Sequence, residues 1–140
     1  MKAYLTKRYW FSASHRLHNE ALSDEENRRL YGKCNSPYGH GHNYALEVTV
    51  SGPVDPRTGM ICDLAELDSA VERSVLARFD HENLNTLAEF RACVPTSENL
   101  VAEIFQLLQH SFRAGRLEKV RLEETSQNFF EYAGGAESKL

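Results

Sequence analysis

Apolar residues recur along this chain at two different periods, and the change of period divides it into elements. Over residues 3–15 the pattern alternates, so Leu5, Tyr9, Phe11, Ala13 and His15 fall on one face. A two-residue period marks a half-buried strand. Residues 42–51 repeat it, with Tyr44, Leu46, Val48 and Val50 in phase. Between them, residues 16–41 hold no sustained period and read as a long polar loop ending in Asn35-Ser36-Pro37-Tyr38-Gly39. Loops of that length commonly carry function. Gly52-Pro53 and Asp55-Pro56-Arg57-Thr58-Gly59 punctuate a turn. The period then lengthens. Leu64, Leu67, Val71 and Val75 follow Asp63, a suitable N-cap, and predict a helix reaching about Phe79. Pro95-Thr96-Ser97 opens a second helix, with Leu100, Ile104, Leu107 and Leu108 facing inward and Gly115 placed to end it. Residues 117–125 and 128–133 read as a closing hairpin.

The order strand, strand, helix, helix, strand, strand predicts an α+β domain, a four-stranded antiparallel sheet with two helices on one face. The 140 residues suit a single domain with one core, and 134–140 read as a flexible tail. The edges of so small a sheet favour self-association.

Composition mainly excludes partners. With 16 Lys and Arg against 20 Asp and Glu, the net charge is −4 and no basic stripe offers itself to nucleic acid. No apolar run approaches the roughly 18 residues of a membrane span. Met1-Lys2-Ala3-Tyr4 lacks the apolar core of a signal peptide. The cysteines are Cys34, Cys62 and Cys93, an odd number without CxxC. That argues against a disulfide scaffold and for a reducing compartment, the cytoplasm. Ser138-Lys139-Leu140 spells a peroxisomal address but reads here as a polar tail.

His40-Gly41-His42 is the sharpest local signal. Two residues apart on a strand, both imidazoles project from one face, half of a zinc site. His15 ends the first strand and can be brought beside them. Three neutral histidines with no evident fourth ligand leave an open position, the pattern of a catalytic metal. The rival is a closed structural site with Cys34 as fourth ligand. His18 and His110 have no such context. Cys34 follows Lys33, a neighbour that favours a thiolate; the bland reading is a passive loop cysteine. Asp80-His81 can form a proton relay or merely satisfy local hydrogen bonds. Thr96, Ser97 and Glu98 can cap a helix or hold a polar ligand. Glu124 shares the parity of Val120 and Leu122, so it should point inward, opposite to Glu123.

Taken together these residues resemble the 6-pyruvoyl-tetrahydropterin synthase family. The likeness runs from Phe11-Ser12-Ala13-Ser14-His15-Arg16-Leu17 through Gly32-Lys33-Cys34-Asn35, Gly39-His40-Gly41-His42-Asn43-Tyr44 and Asp80-His81-Glu82-Asn83-Leu84 to Ser97-Glu98-Asn99 and Glu124-Thr125. It implies a tunnelling fold (T-fold), in which three subunits join their sheets into a barrel and two trimers stack into a homohexamer, with active sites between subunits. It implies Zn2+ on His15, His40 and His42, Cys34 as proton-abstracting base, Asp80 and His81 as relay, and Glu124 as pterin anchor. Thr96, Ser97 and Glu98 would line the pterin pocket. Pro95 and Ser97 stand where the family commonly has Ser and Thr; Ser97 keeps a hydroxyl. The implied activity is a lyase that eliminates triphosphate from 7,8-dihydroneopterin triphosphate. The sister activity, 6-carboxy-tetrahydropterin synthesis on the queuosine path, typically has three residues between the cysteine and HGH. Here Asn35, Ser36, Pro37, Tyr38 and Gly39 intervene, which favours the pyruvoyl product. A non-catalytic pterin-binding protein is the reading from another class.

Overall fold

The computed structural model describes residues 1–135. The expectations for residues 136–140, including the Ser138-Lys139-Leu140 ending, lie outside them. Two long strands form the spine: β1 (Lys2–His15) and β2 (His40–Pro53), antiparallel throughout, with Leu5 opposite Val50, Phe11 opposite Tyr44 and His15 opposite His40. Residues directly opposite in such a ladder share a face. The alternation along β1 therefore continues across β2, and Phe11, Tyr44, Leu46, Val48 and Val50 form one buried sheet face.

Helix α1 (Asp24–Tyr31) and a 3-10 turn (Gly32–Asn35) occupy the segment that periodicity left as a loop. Only Asn27 of α1 is buried, so no apolar stripe announces the helix. Its signal is a capping box instead: Ser23 accepts from the Glu26 amide while Glu26 reaches back to the Ser23 amide. The buried Asn27 amide then fastens the segment, donating to the Asn19, Leu22 and Ser23 carbonyls and accepting from the Asn19 amide.

Helix α2 (Leu64–Val71), capped by Asp63 as expected, passes through a π-helical turn (Glu72–Leu76) into a last turn α3 (Ala77–Phe79). Leu67, Val71, Val75 and Phe79 are buried on the sheet; Leu64 is exposed, contrary to expectation, because it starts the first turn beyond the sheet's cover. Asp68 of α2 accepts from Lys7 at 2.6 and 2.8 Å and from the Tyr9 hydroxyl at 2.7 Å, tying α2 to β1. Helix α4 (Ser97–Ser111) buries Leu100, Val101, Ile104, Phe105 and Leu108, and Phe112 rather than Gly115 ends it. Gly115 has a different duty: a Cβ there would sit 3.1 Å from the Ser51 carbonyl oxygen and against the Phe112 ring.

The sheet is not the four-stranded antiparallel one expected. After α3 the chain adds a two-residue strand, β3 (Glu82–Asn83), parallel to β1. With β4 (Arg116–Thr125) and β5 (Asn128–Tyr132), the five-stranded order is β3-β1-β2-β4-β5. Two residues are too few to show a period, which is why β3 is silent in the sequence. Among the described residues no helix is long and apolar enough to cross a membrane.

Candidate metal centre and active site

The spine strands deliver three histidines to one place. His15 closes β1, His40 opens β2 opposite it, and His42 lies two residues on, on the same face. Their ring centroids are 5.2 Å (His15–His40), 5.0 Å (His15–His42) and 4.7 Å (His40–His42) apart. His15 is buried, and its Nδ1–H donates to the Pro95 carbonyl at 2.8 Å. That bond assigns the lone pair to Nε2, which is buried and meets no hydrogen-bond partner among the described residues. An orphaned, buried ring nitrogen is costly unless something accepts its lone pair. His40 Nε2 and His42 Nε2 lie 3.2 Å from one another. Burial is the main cause that lowers the pKa of His15 and of His42. Both are therefore held neutral, as metal ligands must be. This donor set fits a zinc ion.

Two further groups flank the histidines. Cys34 Sγ lies with the ligand nitrogens of His15 and His40 inside a 4.8 Å sphere of mutual distances, and a Glu124 oxygen does the same with His15 and His42. Cys34 is placed by a 2.7 Å bond from the Leu17 amide to its carbonyl. Burial first, then the charge of Glu124, pushes its thiol pKa up. The expected help from Lys33 is not seen: Lys33 is exposed and lines a separate groove. Glu124 does point inward. The Ser97 hydroxyl donates to its Oε2, and His42 Nε2 is 3.8 Å from its Oε1. Glu123 pairs with the half-exposed Phe129 on the other face.

The remaining expected residues divide. Ser97 joins the cluster through Glu124. Thr96 spends its hydroxyl on the α4 N-cap, accepting from the Asn99 amide, and Glu98 is exposed in the first helical turn. The structure does not bring Asp80 and His81 to Cys34. Asp80 Oδ1 accepts from the Ser12 amide at 2.9 Å and lies 3.1 Å from His81 Nδ1, while the His81 amide donates to the Ser12 carbonyl at 2.6 Å. His81 has φ 62°, a left-handed backbone that non-glycine residues seldom adopt, and its side chain is 83% exposed. It opens into a groove of about 440 Å3 whose lining includes Ser12, Ser14, Gly41, Asn43 and the metal-ligand candidate His42. His81 thus shares a groove with His42, whereas Cys34 groups with His15 and His40 and does not line that groove. Two contributors escaped the sequence reading. The Pro95 carbonyl orients His15, and no side-chain pattern announces a backbone acceptor. Tyr44 packs its ring 5.6 Å from His42, and was read only as core.

Known proteins carry the same frame. A profile of the 6-pyruvoyl tetrahydropterin synthase family matches residues 4–135. The 6-pyruvoyl tetrahydrobiopterin synthase of Homo sapiens is 46% identical over 134 residues, spanning 95% of this chain and 92% of that protein. That of Poecilia reticulata is 45% identical over 132 residues, spanning 94% and 90%. The structure of Caenorhabditis elegans 6-pyruvoyl tetrahydropterin synthase matches with a TM-score of 0.92 at 42% identity, over 96% of this chain and 97% of that one. Sequence likeness over nearly the full length and a superposable fold agree: the chain belongs to the 6-pyruvoyl tetrahydropterin synthase family.

Proposed function

We propose that this chain is a zinc-dependent lyase that eliminates triphosphate from 7,8-dihydroneopterin triphosphate and yields 6-pyruvoyl-tetrahydropterin. The observation that carries the reading is the convergence of three imidazoles, one with a buried Nε2 unpaired among the described residues, between Cys34 on one side and Glu124 on the other. His15, His40 and His42 would hold the ion. A zinc ion there supplies Lewis acidity to the oxygens of the substrate side chain. Glu124, oriented by Ser97, accepts the exocyclic amine and the adjacent ring N–H of the pterin in a paired, charge-assisted contact. Cys34 removes a side-chain proton, the bond to triphosphate breaks, and internal redox completes the pyruvoyl group.

Burial keeps the Cys34 thiol protonated in the isolated chain. A base is therefore needed to take its proton. Asp80 and His81 have that chemistry, but His81 is exposed and lines a groove that does not include Cys34 of the same chain, which supports a site shared between subunits of a homohexamer. The five residues between Cys34 and His40 and the names of the relatives both favour the pyruvoyl over the carboxy product. Mass spectrometry of the pterin product from the zinc-loaded protein tests the reading. The expected products are 6-pyruvoyl-tetrahydropterin and inorganic triphosphate, both abolished by chelation; a carboxy product, or none, overturns it.

A further inference from the structure

A groove of about 360 Å3 is lined by Lys33 and Asn35, the residues on either side of Cys34 in the chain. Arg16, Arg28, Asp24 and Ser36 complete the polar wall. We propose that this groove receives the triphosphate of the substrate, with Arg16, Arg28 and Lys33 as its cations. The proposal rests on the pterin triphosphate reading above and assigns the part of the ligand that the zinc and Glu124 leave unheld.

Charge is the first argument. Three cations face one carboxylate, on a chain whose net charge is −4. A triphosphate carries several negative charges and is repelled by Glu124 and by the chain as a whole, so it needs a positive lobe close to the reacting atoms. Among the described residues none of the three cations makes an ion pair within the chain.

The second argument is construction. Arg16 directly follows the ligand His15, and its backbone is clamped on both sides by Asn85, amide to Oδ1 at 2.7 Å and carbonyl from Nδ2 at 2.8 Å. Its Nε donates to the Asn35 carbonyl at 3.2 Å, which leaves the terminal guanidinium nitrogens for a ligand. Buried Asn35 in turn donates to the Leu17 carbonyl at 2.8 Å and contacts His18 Nδ1 at 2.9 Å. The cations thus sit on two segments stapled together beside the site. Arg28 alone has a simpler role as well, offsetting the dipole at the end of α1.

The third argument is order. Glu124 groups with His15 and His42, Cys34 groups with His15 and His40, and in the chain the groove cations Arg16 and Lys33 directly adjoin His15 and Cys34. The substrate runs in the same order: pterin ring, short hydroxylated side chain, triphosphate.

Calorimetry on the zinc-loaded protein tests this with two probes, inorganic triphosphate and neopterin, which lacks phosphate. Arg28→Gln and Lys33→Gln should each weaken triphosphate about fivefold to tenfold, and the double variant further, with unchanged zinc content and neopterin affinity within about twofold. Arg28→Lys should recover part of the loss. Triphosphate binding that ignores both variants overturns the assignment. If neopterin fails to bind the unmodified protein while triphosphate still senses both cations, the pterin reading falls and the groove is left as a polyphosphate site.

Discussion

Replacing Glu124 by Gln, with Glu123→Gln beside it, probes the pterin end of the site. The two carboxylates are adjacent in β4 yet face opposite sides of the sheet. Glu124 is held by Ser97 and approaches His42, whereas Glu123 sits across from the exposed Phe129. Glu124→Gln removes one charge and turns one of two acceptors into a donor. The glutamine carbonyl still accepts from Ser97, so α4 keeps its contact and the fold should be little changed. What is lost is one charge-assisted hydrogen bond to the pterin, worth about 1.5–3 kcal/mol, plus a clash of donors. Neopterin affinity should therefore fall about 10- to 100-fold or more, since about 1.4 kcal/mol is tenfold. Glu123→Gln should stay within about twofold. Neopterin titration gives the affinity, and elemental analysis of the same samples gives the zinc. Equal losses in the two variants would refute the assigned faces. Loss of zinc in Glu124→Gln would show that the Glu124 oxygen, which lies within ligand reach of His15 and His42, holds the metal rather than the pterin.

Further predictions concern the metal, the oligomer and the frame. His15→Ala should lose zinc and also destabilise the metal-free chain by about 2–4 kcal/mol, because it empties a buried site and strands the Pro95 carbonyl; His40→Ala should lose zinc at a cost below about 1 kcal/mol, as metal analysis and urea melts of both would show. Mixing inactive Cys34→Ala and inactive His81→Ala chains should restore activity, since exposed His81 lines a groove that does not include Cys34 of its own chain; no recovery places them in one chain's site. Asn27→Ala should cost about 2–3 kcal/mol locally and expose the amides of residues 19–31 to hydrogen exchange, because four backbone groups lose one shared partner. Arg78 donates to both oxygens of Glu89 and holds that carboxyl below its ordinary 4.5. A depressed carboxylate stabilises the fold above that value and loses its contribution as pH falls through the folded value. Glu89→Gln should therefore lower stability at neutral pH and flatten the decline below pH 4.5, read from thermal melts across pH.

Much of this protein was legible in the sequence because its signals are local or periodic. Alternation placed Phe11 with His15 and Tyr44 with Leu46, and the same parity put His40 with His42 and Glu124 with Val120 and Leu122 before any strand was paired. Helical spacing found α2 and α4 together with their Asp63 and Thr96 caps. Helix α1 was legible too, through its capping box rather than through hydrophobicity, and a reading that weighs only apolar period passes over it.

Tertiary structure alone decided the rest. That His15 faces His40 follows from a register of fourteen paired residues, which depends on where the β1–β2 connection closes and not on either motif. Strand β3 exists because the turn after α3 lays Glu82 and Asn83 against β1, a contact too short to leave a period. The tautomer of His15 is set by a backbone carbonyl eighty residues away, at Pro95. Side-chain parity is inherited from the chain's own geometry, whereas the meeting of distant segments depends on how the whole core packs, and no short stretch of residues encodes that.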